Sequence, residues 1–182
     1  MIFSETDLTG AYVIDIEPRK DDRGFFARLF CEHEFAAQGL NTRWVQINNS
    51  FTTETGTLRG LHFQRPPKAE VKVVRCIRGV IWDVIVDLRA SSTTFGKWFG
   101  TELNAENRTM LYVPQGFAHG FISLQPNSEI LYLVSEFYGP EQEETLLWND
   151  SAVDIAWLID PKYISNKDKQ AKQLSDIKPI KI

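Results

Sequence analysis

The sequence predicts a mainly β chain, folded as an antiparallel sandwich or barrel with a few short helices. Many short runs alternate apolar and polar residues with the two-residue period of a half-buried strand. Turn residues punctuate these runs at regular intervals, as at Gly79 and at 114–116, PQG. Only one or two stretches have helical character, and both are short. The 182 residues fit one domain, 1–182, with its own core. Hydrophobic residues make up 43% and aromatic residues 12%, enough to fill that core. No internal repeat, low-complexity tract or linker divides the chain.

Taken in order, residues 12–17, YVIDIE, alternate and read as a strand. Residues 18–24, PRKDDRG, read as a charged turn, and 25–30 as a second strand. Residues 31–38, CEHEFAAQ, read as a short helix stopped by Gly39, with His33 an exposed helix histidine. Residues 44–51 and 58–64 are strands. Residues 71–77 and 80–88 are expected to form a hairpin that turns at Arg78-Gly79. With Ile77 paired to Val80, Lys72 faces Ile85 and Val74 faces Asp83, so Lys72 and Asp83 become diagonal neighbours. Two readings stay open for that pair: a surface ion pair, or a costly charge pair on an apolar face that marks a site. Residues 95–103, 110–113, 117–124 and 129–138 supply further strands. A polar tail follows at 162–173. In it Asp168 stands three residues after Ser165, close to a capping box, where an acid also suits the helix dipole.

Composition narrows the function. The net charge is -4, with both signs mixed along the chain, so neither nucleic acid nor an anionic membrane is an expected partner. An anion site must be a local cluster. The opening MIFSETDLTG lacks the charged and apolar regions of a signal peptide, and no apolar run reaches membrane-spanning length. Cys31 and Cys76 both lie in apolar contexts and read as free thiols, which suits a reducing cytoplasm.

The densest chemistry lies in residues 58–72, LRGLHFQRPPKAEVK. His62 sits between Leu61 and Phe63, Arg59 lies three residues before it, and Lys72 opens an apolar strand. His62 reads either as a satisfied core histidine or as a base. Tyr132, within 130–134, ILYLV, reads from pattern alone as packing. Strict alternation puts Arg59 and His62 on opposite faces unless Gly60 marks a bulge or Arg59 begins the strand. His119, in PQGFAHG, resembles the second histidine motif of cupin barrels. A catalytic metal site needs about three protein ligands. Here His62 is followed by Phe63 and Gln64 rather than by a second histidine. We therefore expect a cupin-like barrel with no metal ligands, built for proton transfer.

Many segments together resemble one family. They are DDRGFF (21–26), QINNS (46–50), GTLRGLHFQ (56–64), Lys72, GVIWDVIVDLR (79–89), TFGKW (94–98), VPQGFAHGF (113–121), LYLVSEFY (131–138) and WNDSAVDIAW (148–157). In this order they resemble the dTDP-4-dehydrorhamnose 3,5-epimerases, the RmlC-like nucleotide-sugar epimerases, over nearly the whole chain. The resemblance implies an antiparallel jelly-roll (cupin-type) β-barrel and a homodimer that shares N-terminal strands. It implies a nucleotide-linked 4-keto-6-deoxyhexose as substrate, inversion of carbons 3 and 5, and no cofactor. By position it makes His62 the base, oriented by Asp168. Lys72 becomes the enolate-stabilising cation and Tyr132 the acid that returns the proton. Asp83 and His119 would line the pocket, with Asp83 holding Lys72. Arg59 and Arg23 would take the diphosphate, Arg23 from the partner subunit. Gln46, Asn48, Tyr138 and Glu143 match positions near the nucleotide. The chain departs from the family pattern at Arg28, where a Glu is usual and faces the nucleotide, so the nucleobase stays open. It also carries an extra residue in the loop between Ser50 and Gly56.

Overall fold

The computed structural model describes residues 1–182. Its strands are β1 (Ile2–Glu5), β2 (Tyr12–Asp15), β3 (Arg19–Asp21), β4 (Gly24–Phe26), β5 (Gln46–Thr52), β6 (Thr57–Gln64) and β7 (Lys72–Arg78). They continue with β8 (Val80–Asp87), β9 (Trp98–Asn104), β10 (Met110–Val113), β11 (Phe117–Ser123), β12 (Ser128–Val134), β13 (Glu143–Thr145) and β14 (Tyr163–Ile164). Two short helices, α1 (Glu32–Ala37) and α2 (Asn166–Lys169), and a 3₁₀ turn at Leu174–Asp176 complete the chain. No helix is long and apolar enough to cross a membrane.

The strands form two facing sheets, ordered β1-β2-β10-β7-β12-β5 and β13-β6-β11-β8-β9, with β14 added beside β6. From β5 to β8 successive strands alternate between the sheets, and the same alternation runs from β10 to β13. This is the jelly-roll arrangement, made as two separate sheets rather than a closed ring of hydrogen bonds. Side chains that point inward from both sheets, among them Val74, Ile81, Ile85, Leu111, Phe121 and Ile130, form the central core. A second cluster covers the outer face of the β6 sheet. There Leu61, Val84 and Val86 lie under Leu146, Val153, Ile177 and Ile180 of the C-terminal segment. A third cluster seats Phe35 of α1 against Ile14, Val73, Met110 and Tyr112 on the other sheet. Each fully buried aliphatic side chain contributes roughly 1.5–3 kcal/mol, so Ile177 and Ile180 alone hold the tail firmly against the barrel.

Three local expectations need correction. Strands β7 and β8 are not a hairpin: β7 pairs with β10 and β12, whereas β8 pairs with β11 and β9. Gly79, at φ +74°, lets the chain cross between sheets in one residue. A Cβ there would come within 2.5 Å of Ser128 Oγ. That hydroxyl accepts the Val80 N–H at 3.3 Å and so fastens the corner. Two β-branched runs around Arg-Gly read the same way locally whether they pair or part. The charged run 18–24 is also more than a turn, since β3 and β4 form a small hairpin of their own. Finally, the strand expected over 129–138 stops at Val134, which leaves Tyr138 in the following loop.

Candidate active site

Strand β6 sets the geometry of the site. Its pairing with β11 shifts register, with His62 opposite His119 but Arg59 opposite Phe121. Two residues, Gly60 and Leu61, thus lie against the single Gly120. This bulge turns Arg59 and His62 to the same face, as alternation alone could not. It also needs glycine on both strands: a Cβ on Gly60 would lie 2.5 Å from the Gly120 Cα.

That face opens on a cavity of about 650 Å³ between the sheets. Arg59, His62 and His119 line it from one sheet, Lys72 and Tyr132 from the other, and Asp168 from α2. A contiguous cleft of about 280 Å³ shares His62, Lys72 and Tyr132 and adds Gln46, Asn48, Tyr138 and Glu143. Gln46 and Asn48 arrive in register with Val134 and Tyr132 across the β5–β12 ladder, so all four share the inner face.

His62 Nε2 lies 2.7 Å from Asp168 Oδ1. An ionised carboxylate only accepts, so the proton sits on Nε2 and the lone pair is left on Nδ1. Burial pushes the Asp168 carboxyl up. The His62 ring, by hydrogen bond and by charge, outweighs this together with the Ser165 hydroxyl and the Gly60 N–H, and the carboxyl stays below its ordinary range. The two sequence readings of Asp168 are compatible because different atoms serve them. Ser165 Oγ accepts the Asp168 backbone N–H at 3.1 Å, which caps α2, and the carboxylate is left for the imidazole.

His119 has its own carboxylate: its Nε2 donates to Asp83 Oδ1 at 2.9 Å. Asp83 is fully buried behind this ring and lines neither cavity, contrary to the expectation that it sits on the wall and holds Lys72. The predicted diagonal contact failed with the β7–β8 hairpin. Lys72 instead pairs with Glu70, at 3.1 Å between Nζ and Oε1. Tyr132 is half-buried on the same wall as Lys72. Burial pushes its phenol up, Glu70's charge adds to this, and Arg59 opposes it.

At the mouth, Tyr138 Oη donates to Glu143 Oε2 at 2.9 Å and Lys167 Nζ does so at 2.5 Å. Burial raises the Glu143 carboxyl, but Lys167 and Tyr138 hold it below the usual carboxylate range. Arg59 donates to Thr52 Oγ1 and to the Phe51 carbonyl, both at 3.3 Å. Arg23 is exposed on the β3–β4 turn, pairs with Asp21, and lies outside both cavities of its own chain. Arg28 is likewise outside them and pairs with Glu34 at 2.8 Å. Sequence reasoning missed Glu70 and Lys167. Each had a signal: Glu70 is two residues before Lys72, hence on its side of an extended chain, and Lys167 adjoins Asp168.

Two facing walls that carry titratable side chains, around a space of ligand size, define a jelly-roll enzyme of small-molecule chemistry. Comparison makes this specific. A family model described as dTDP-4-dehydrorhamnose 3,5-epimerase matches residues 5–176. The dTDP-4-dehydrorhamnose 3,5-epimerase of Methanothermobacter thermautotrophicus is 44% identical over 177 residues, which covers 96% of this chain and 95% of that protein. The crystal structure of the Elizabethkingia anophelis dTDP-4-dehydrorhamnose 3,5-epimerase superposes with a TM-score of 0.94 at 41% identity and covers 97% of each chain. That of Legionella pneumophila RmlC, a dTDP-6-deoxy-D-glucose-3,5-epimerase in complex with dTDP-4-keto-L-rhamnose, gives 0.90 at 34% identity, over 97% of this chain and 94% of that one. The chain belongs to the dTDP-4-dehydrorhamnose 3,5-epimerase family, a family of isomerases.

Proposed function

We propose that this protein converts dTDP-4-dehydro-6-deoxy-D-glucose to dTDP-4-dehydro-L-rhamnose by inverting carbons 3 and 5. One observation carries the reading: a histidine with a buried carboxylate on one wall faces a lysine and a tyrosine on the other. Inversion next to a ketone needs this division. His62 Nδ1 takes the proton from carbon 3 or 5, and the C–H electron pair moves into the ring toward the carbonyl oxygen. Asp168 stabilises the imidazolium that forms. The Lys72 ammonium donates to the enolate oxygen. The Tyr132 phenol then returns a proton to the same carbon from the opposite side, the carbonyl re-forms, and the configuration is inverted. Exchange with solvent resets both side chains before the second carbon reacts.

The remaining polar groups suit the nucleoside diphosphate part of the ligand, which stays attached throughout. Arg59 suits the diphosphate, and Gln46, Asn48, Tyr138 and Glu143 suit the nucleotide in the adjoining cleft. Arg23, which lies outside the cavities of its own chain, would complete the diphosphate site from a second copy. A homodimer also fits the exposed apolar residues Ile47, Phe51 and Ile77 on the outer face of the β5-containing sheet. A cytoplasmic setting fits the two unpaired cysteines.

Incubation with dTDP-4-dehydro-6-deoxy-D-glucose in heavy water tests the reaction. Deuterium at carbons 3 and 5 is the expected result. Deuterium at carbon 3 alone would reassign the protein as a 3-epimerase. Tight binding with no exchange at either carbon would make it a non-catalytic binder.

A further inference from the structure

We propose that Glu70 is a positioning residue that fixes the Lys72 ammonium against the reacting sugar. This rests on the role of Lys72 argued above. Glu70 lies just before β7, in a segment held by the neighbouring strand. Val71 N–H donates to Ser135 Oγ at 2.8 Å, and Ser135 N–H donates to the Val71 carbonyl at 3.0 Å. These bonds extend the β7–β12 ladder one residue past the Lys72–Val134 pair. Glu70 and Lys72, two residues apart in extended chain, therefore project to the same side. Both line the cleft that they share with His62 and Tyr132.

The burial of this pair needs a reason. The Lys72 and Glu70 side chains are only 11% and 12% exposed, and each is the other's ion-pair partner. A buried ion pair costs about as much in desolvation as it returns, and apolar residues of similar size would often stabilise equally. Stability alone therefore gives this wall no reason to carry two charges. Function does. An ammonium has three equivalent donors and a flexible stem. A carboxylate that takes one donor fixes the nitrogen and aims the other two into the cavity, before any charge develops on the substrate. The expected partner for this work was Asp83, which the fold commits to His119.

Glu70 also acts on the groups around it. The charged or titratable side chains that share the cavity walls with Tyr132 are Arg59, His62, Lys72, His119, Lys162, Tyr163, Lys167, Asp168 and Lys169 in the larger space, and Glu70, Tyr138 and Glu143 in the adjoining cleft. Among them Glu70 favours the neutral phenol through its charge, whereas Arg59 favours the phenolate. The same carboxylate thus orients the cation and helps keep the proton donor protonated.

Glu70→Gln preserves shape and removes the charge. It is expected to lower kcat on the order of tenfold with KM little changed, the size of one charge-assisted hydrogen bond. The basic limb of the kcat–pH profile should move to lower pH. Glu70→Asp, which keeps the charge, should recover part of both effects. In a Lys72→Met background at neutral pH, Glu70→Gln should cost nothing further, because the residue acts through Lys72. Thermal melts of each variant fix an assay temperature at which all are folded. A Glu70→Gln enzyme with native kcat and native pH profile would overturn the proposal, as would a full extra tenfold loss in the Lys72→Met background. If Lys72→Met itself retained native exchange at both carbons, the role of Lys72 would fail first, and Glu70 with it.

Discussion

His62 and His119 face each other across the β6–β11 ladder, and each holds a carboxylate through Nε2. The chemistry of the two pairs is alike and their settings differ. The His62 ring is 33% exposed to the cavity, against 11% for His119. Asp168 reaches His62 from a four-residue helix in the tail, and Ser165 and Gly60 also serve it. Asp83 reaches His119 from the core strand β8, and its Oδ2 meets no donor of the protein. A histidine–aspartate pair is thus not a base by composition alone. One is open to a ligand and its carboxylate is delivered last. The other is built into the barrel and shapes the wall.

The largest separation between the two should appear on truncation of the rings. His62→Ala is expected to lower the rate of exchange at carbons 3 and 5 about 10³-fold, the usual scale for losing a general base. His119→Ala should lose about tenfold, mostly in KM. Equal losses would erase the distinction. The carboxylates should part along a different axis. Asp168→Asn is expected to cost about 10²-fold in kcat and well under 1 kcal/mol in stability. Asp83→Ala should cost about 2–3 kcal/mol, because it leaves the buried His119 N–H unmatched; urea unfolding and single-turnover kinetics on both variants read the contrast. Unseating the tail comes next. Ile180→Asp buries an unpaired charge where apolar contacts hold the tail, and should lower kcat about tenfold and speed amide exchange over residues 163–180, with slow exchange in the barrel unchanged.

The smallest effect is on pH dependence. The Asp168 carboxyl lies below its ordinary value of 3.8 in the folded chain. It therefore contributes stability that is complete above about pH 4 and is lost as pH falls through the depressed value. Tail amide exchange should quicken in that acidic window in the native protein, and change less across it in Asp168→Asn.

The strand pattern and the loaded segment 58–72 were legible in the sequence, because alternation and the clustering of His62, Arg59 and Lys72 are local properties. What pairs with what was not. The β7 and β8 runs fit a hairpin as well as they fit a crossing at Gly79, and only the competition of β10, β12, β9 and β11 for their edges decides between them. That one choice took Asp83 from Lys72 and gave it to His119. Arg59 and His62 could share a face only through the Gly60 bulge, a condition that sequence could state and only the register could meet. Asp168 lies 106 positions from its imidazole. No spacing rule connects them, and family resemblance supplied the pairing before geometry did.

The late position of Asp168 has a consequence in time. All fourteen strands are synthesised before residue 165, the last of them, β14, ending at Ile164. Every wall of the cavity contributed by the two sheets exists, as sequence, before the carboxylate that orients His62 has been made. A chain that stops before residue 165 lacks both that carboxylate and the part of the cavity wall that Ser165, Lys167 and Asp168 supply. Catalytic competence thus becomes a report that translation has passed the tail.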